Sequence, residues 1–278
     1  MIGILLVLFA GFFEEAADSI GKDAVGKREE SVYTMGFLNL LWPALIFFFV
    51  AFYIRGTFIF SLQSLPTFLL RLVLEILQVH VTLKALVYAD RSTYGFLRTL
   101  TIPLLLIADL TLGYEISPWA SIGASLIALA LVVLLVDHDF SKKGSGFVLI
   151  SAVNAVATIS LYKYNISHFN SVEAEQAILY SVLLVYLFIF AVFRARENPF
   201  RFLIRPKFIA ESFSMGIASV LLSFAYLFGA ASLVTAMKRG VAVLYSILFG
   251  KIYFREKHVV IKTLAFLGVL AGLILIVF

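Results

Sequence analysis

The chain contains no cysteine, which excludes disulfide cross-links, thiolate metal sites and thiol nucleophiles. Charge is also scarce: Asp, Glu, Lys and Arg make up 14% of the 278 residues, against 62% hydrophobic ones. That is too little polar material to coat an ordinary soluble domain, and the mean hydropathy of +1.02 points the same way. There is no phosphate loop, because no Gly-x-x-x-x-Gly-Lys-Ser/Thr frame surrounds Gly144 and Gly146. His80 has no second His, Asp or Glu at a metal-ligand spacing, so no metal site is expected. No nucleophile–base–orienter set is evident, so neither an enzyme nor a cofactor is implied. The apolar run Ile2–Phe13 has no basic region before it and leads into acids, unlike a removable signal. The net charge of +5 sits mostly in short connections, which suits membrane flanks better than a nucleic-acid partner.

What the chain has is long apolar runs. Backbone facing lipid must bond internally, so runs of this length favour helices. The pattern predicts ten, at roughly 3–24, 33–54, 64–88, 93–112, 118–136, 146–163, 174–193, 208–230, 233–253 and 259–278. A repeat runs through them. Arg98 and Arg239, Glu115 and Glu256, Lys22 and Lys163, and Ser19 and Ser160 are each 141 residues apart. The polar connection 137–146 separates residues 1–140 from 141–278, with five expected helices on each side. An odd number of spans per copy makes the second enter from the opposite face. The expected fold is therefore all-α: ten transmembrane helices in a 5+5 inverted repeat forming one transmembrane domain, with Arg98 and Arg239 at opposite depths.

Two stretches carry a recognisable pattern. One runs Tyr88-Ala89-Asp90-Arg91-Ser92-Thr93 through Pro103 to Leu112-Gly113-Tyr114-Glu115 and Gly123. The other runs Ala230-Ala231-Ser232 through Gly250 to Phe254-Arg255-Glu256, then Gly268 and Gly272. Together they resemble the drug/metabolite transporter superfamily, in particular its ten-helix EamA-like members. The resemblance implies a carrier of small metabolites with a central cavity, driven by protons or by exchange. It matches Glu115 and Glu256 to the family's turn glutamate and Pro103 to its fourth-helix proline. The chain departs from the pattern at Leu244, where the repeat expects proline, and at Glu14-Glu15, where relatives carry an apolar residue and then Trp-Gly.

The candidate site residues are the charges inside apolar runs. Glu14, Glu15 and Asp18 interrupt the first helix and are costly against lipid, so they should face the bundle or water. Arg71, Glu75, Gln78 and Thr82 form one stripe at helical spacing, read either as a cavity wall or as an Arg71–Glu75 pair that neutralises itself. Arg98, Lys238 and Arg239 are candidates to hold a carboxylate or phosphate or to clamp those acids, and Asp109 joins the set. Glu115 and Glu256 read as helix caps, Pro103 as structural, and Gly123, Gly268 and Gly272 as close helix contacts.

These readings lead to an expected secondary transporter working by alternating access, with Glu14, Asp18 or Glu75 exchanging protons or holding an amine. Its expected partners are a small polar metabolite, zwitterionic or amine-containing, together with protons and membrane lipids. Two alternatives stay open: a lipid or lipid-linked-sugar flippase, and a non-transport membrane protein that binds a ligand or scaffolds a partner. The expected location is a bacterial or archaeal plasma membrane. Loop charge puts both termini outside, whereas the family resemblance puts them in the cytoplasm.

Overall fold

The computed structural model describes residues 2–111, 117–136, 143–228, 231–254 and 259–277. Among them the chain is an all-α bundle of eleven helices. These are α1 (Ile2–Gly26), α2 (Val32–Phe49), α3 (Leu65–Tyr88), α4 (Arg91–Arg98), α5 (Thr101–Thr111), α6 (Pro118–Val136), α7 (Ser145–His168), α8 (Val172–Phe193), α9 (Pro206–Ala225), α10 (Ala231–Phe254) and α11 (Val259–Val277).

The helix starts follow from local chemistry. Ser31 caps α2 by accepting from the Thr34 N–H, and Ser171 caps α8 by accepting from Ala174, with Glu173 and Glu175 in the first turn favouring the helix dipole. Proline occupies the first turn of α3 and α9, where its missing N–H costs nothing. The end of α2 widens into a π-turn over Val50–Ile54, closed by Arg55 N–H donating to the Val50 carbonyl at 2.9 Å.

The helix expected at 93–112 is broken. Pro103 supplies no N–H, and its ring crowds the carbonyl four residues back, at Thr99. The chain therefore ends α4 at Arg98 and restarts at Thr101. The two threonines at the break satisfy carbonyls locally: Thr99 Oγ1 donates to Phe96 O and Thr101 Oγ1 to Arg98 O, both at 2.7 Å.

The main packing pairs are α1 with α9, α6 with α11, α2 with α8 and α3 with α7, while α10 lies against α1, α4 and α11. Two large apolar clusters result. One gathers Phe37, Leu38, Leu83, Leu86, Leu187 and Phe208, and the other Phe96, Ile102, Ile127, Val243, Val269 and Leu273. Close approach of α6 and α11 needs glycine: a Cβ on Gly272 would lie 2.6 Å from the Gly123 carbonyl oxygen, and one on Gly268 would lie 3.1 Å from the Ala130 Cβ.

The expected ten-span inverted repeat is overturned. Among the described residues, four helices are long and apolar enough to cross a membrane: Val32–Ile54, Ser145–His168, Val172–Phe193 and Pro206–Ala225. Ser121–Ala130 and Thr263–Leu275 are shorter apolar stretches. The physical reason is ionic content. α1 pairs its acids with bases of α4 and α10, α3 pairs Arg71 with Glu175 of α8, and the fourth expected span is two short helices. The four long apolar helices turn large side chains outward, including Phe49 at the end of α2 and Tyr53 beyond it, Val153 on α7, and Val185 and Ile189 on α8. An apolar surface of that kind suits contact with lipid.

Candidate functional site

The ionic residues of α1 divide between two partners. Glu15 and Asp18 meet Arg91 at the first turn of α4. The guanidinium grips Glu15 with Nε at 2.8 Å from Oε1 and Nη2 at 2.7 Å from Oε2, while Asp18 Oδ2 lies 3.5 Å from Nη2. Arg91 is fully buried, although its place in a connection between apolar runs made it look like a surface flank. Glu14 points elsewhere and pairs with Lys238 of α10 at 3.0 Å.

A second knot joins α3 to α7 and α8. Arg71 Nη1 donates to Glu175 at 2.7 Å and Nη2 to the Gln176 side-chain carbonyl at 3.0 Å, and the cation lies 4.5 Å from the Tyr162 ring centre. Glu75 is the weaker partner, 3.7 Å from Arg71 Nε. Glu175 also accepts from Asn165 at 2.9 Å and from Asn170, so it is a fully paired buried carboxylate. Higher on the stripe, Gln78 donates to Ser151 at 2.8 Å and accepts from Asn154 at 2.8 Å, while Thr82 bonds Ser151 at 2.9 Å. The side-chain ring of His80 bonds the Tyr186 hydroxyl at 2.7 Å, a structural contact between α3 and α8.

Sequence reasoning missed Arg91, Glu173, Glu175 and Gln176. The signal for the last three was present: they crowd the first turn of an otherwise apolar helix. Glu173 is buried and pairs with Arg55 at 3.2 Å. The repeat-related lysines do similar work, each donating to the carbonyl that follows a helix: Lys22 to Ala89 after α3, and Lys163 to Tyr226 after α9 at 2.9 Å.

Between these knots lies a cavity of about 200 Å³ walled by α1, α3, α4, α7, α8, α9 and α10. It brings together Glu14, Glu75, Gln78, Arg98, Lys238 and Arg239. A second chamber of about 190 Å³ adjoins it through Glu14, Gln78, Arg98 and Met215. Glu15 and Asp18 line a narrower recess of about 20 Å³ beside Arg98 and Arg239. The two arginines, expected at opposite depths, therefore share one chamber. Glu115 and Glu256 lie outside the described residues, as does the Asp109 side chain. Among the described residues no group of three or more His, Asp or Glu is arranged to hold a metal ion.

The fold and site define a class: an all-α bundle with an internal ionic cavity and, among the described residues, four membrane-capable helices. No protein-family model matches the chain, and no curated protein matches it. The resemblance to the EamA-like drug/metabolite transporters is therefore withdrawn, and with it the ten-helix carrier that it implied. Alternating access across ten spans lacks support too, since among the described residues four helices qualify rather than ten. The proton and the amine-containing or zwitterionic metabolite fall as partners too. The acids meant to hold an amine are already engaged, Glu14 by Lys238, Glu15 and Asp18 by Arg91, and Glu75 by Arg71.

Proposed function

We propose that this chain is a membrane-associated binding protein, neither a transporter nor an enzyme, whose helical bundle encloses one small ligand. The observation that carries this reading is the central cavity. A space of about 200 Å³, its wall mixing charged and amide side chains with groups such as Ile159, Tyr162, Tyr180 and Leu222, is larger than the roughly 150 Å³ that admits a benzene ring, yet below the usual drug-sized range. A purely structural bundle would close such a space with apolar packing, because buried polar groups without partners are costly. The knots around Arg91 and Arg71 support a fixed frame rather than a moving one, since the first ties α4 to α1 and the second ties α3 to α7 and α8. Four membrane-capable helices with outward apolar side chains support a place in a bilayer.

The test is a thermal-shift screen of the purified protein in phosphatidylcholine nanodiscs against anionic, cationic and neutral small-molecule pools. Binding raises the melting temperature with a concentration dependence set by the ligand's affinity. If no pool of any class shifts the midpoint, the cavity is not a binding site, and the reading passes to a scaffold.

A further inference from the structure

The charges that line the cavity are unequally matched. Lys238 has Glu14 at 3.0 Å, and Arg71 has Glu175 at 2.7 Å. Arg98 and Arg239 have no carboxylate within 4.0 Å among the described residues. Arg98 Nη1 donates to the Tyr94 hydroxyl, while its buried Nε has no hydrogen-bond partner. Arg239 is 3% exposed, and its one hydrogen bond among the described residues runs from Nε to Thr101 Oγ1 at 3.1 Å, leaving the outer edge of its fork unused. Both line the 200 Å³ cavity and also the recess beside Tyr94 and Gly95.

Two guanidiniums on one chamber repel each other, and although Glu14 and Glu75 line the same cavity, neither arginine has a carboxylate in ion-pair contact among the described residues. Nearby hydroxyls relieve that only in part. Guanidinium forks with free N–H groups match the paired oxygens of a carboxylate or phosphate, and an anion between them would satisfy both cations at once. We propose that Arg98 and Arg239 form the anion-binding end of the cavity and take the carboxylate or phosphate oxygens of its ligand. This rests on the binding reading above and adds the sign and chemistry of the ligand. The oxygens belong either to a small free anion or to a lipid headgroup that enters from the surrounding bilayer.

The experiment titrates the protein in phosphatidylcholine nanodiscs with inorganic phosphate and with succinate, alongside putrescine and glucose, and follows the melting midpoint. A second arm replaces part of the phosphatidylcholine with phosphatidylglycerol and adds no free anion. The expected result is stabilisation by an anion or by phosphatidylglycerol that weakens at least about tenfold in R98Q and in R239Q. R98K and R239K, which keep the charge but lose the fork, should weaken it less and serve if the glutamine variants do not fold. Stabilisation by free anions identifies a soluble ligand, and stabilisation confined to phosphatidylglycerol discs identifies a headgroup; both uphold the proposal. An unchanged anion response in all four variants overturns it. Binding of putrescine or glucose without any anionic response overturns it too, while leaving the cavity's binding role intact. Silence from every probe overturns both.

Discussion

Replacing Arg91 by alanine should be among the most damaging single changes in the described part of the bundle. The side chain is 0% exposed and holds Glu15 at 2.7 and 2.8 Å and Asp18 at 3.5 Å. Breaking a buried pair by removing one partner costs about 3–5 kcal/mol, because the other charge is left without compensation. Here two acids, 5% and 4% exposed, lose the same cation. Protonating one limits the loss, because burial already pushes Glu15 up to about 7 and Asp18 up to about 6 against the pull of Arg91. The lower end of the range, a loss of about 3 kcal/mol, is therefore expected. Trp42 and Trp119 provide fluorescence for unfolding in mixed micelles of rising denaturing-detergent fraction. The control is the triple variant R91A/E15Q/D18N, which removes the stranded charges and should recover at least about 2 kcal/mol. A loss below about 1 kcal/mol in R91A would be the scale of an exposed pair. That result, or no recovery in the triple variant, would refute the idea that this arginine is the electrostatic centre of the α1–α4 contact.

Three further outcomes are expected. Glu30, in the connection 27–31, is 3% exposed, and its carboxyl meets that of Glu211, to which it can donate only when protonated. Burial first and the neighbouring Glu211 next push it up from 4.5 to about 10, with Glu197 adding to the rise and Lys207 opposing it. The folded chain thus keeps a proton that the unfolded chain releases, so this contribution is full below about pH 4.5 and is lost as pH rises towards 10. Melting midpoints should fall over that window in the wild type and fall less steeply in Glu30→Gln; parallel curves would remove Glu30 as the cause. Gly272→Ala should cost about 1–3 kcal/mol, since its Cβ would meet a backbone oxygen at 2.6 Å, whereas Gly146→Ala, with nothing within 4 Å, should be neutral or slightly stabilising in the same unfolding assay. The absence of native cysteine gives a clean background for maleimide labelling in sealed membranes. Val185→Cys, on the outward face of α8, should resist the reagent while Arg201→Cys reacts, and equal rates would argue against α8 as a span.

The positions of most helices could be read from the sequence because apolar run length is a local property. So was the α3 stripe: residues 78 and 82 are one helical turn apart and do share a partner, Ser151. The break before Pro103 was also available in principle, but a long apolar run masked it. What could not be read was long-range pairing. Arg91 follows Asp90 between two apolar runs, a context that also describes an ordinary membrane-flanking loop, and only the packing of α4 against α10 and α7, with the ion pair to Glu15 of α1, reveals its burial. The same blindness inflated the number of spans. A helix with three to five charges still averages as apolar, and nothing in one sequence says whether its partner is lipid or another charged helix.

The charge of the cavity follows from that hidden pairing. Read along α1 alone, the site is acidic, and an amine is the natural guest. Across the bundle, Glu14 meets Lys238, Glu15 and Asp18 share Arg91, and Glu75 and Glu175 share Arg71, so Arg98 and Arg239 balance the formal charge but are left without an ion-pair contact among the described residues. The broken helix then fixes where these two arginines sit. Because α4 stops at Arg98 and α5 restarts at Thr101, the Thr101 hydroxyl is placed to accept from Arg239 while Arg98 keeps its place on the cavity wall. A hydroxyl orients a guanidinium without neutralising it. The fold thus holds both cations in position with N–H groups that no carboxylate contacts, an arrangement that suits the oxygens of an anionic ligand.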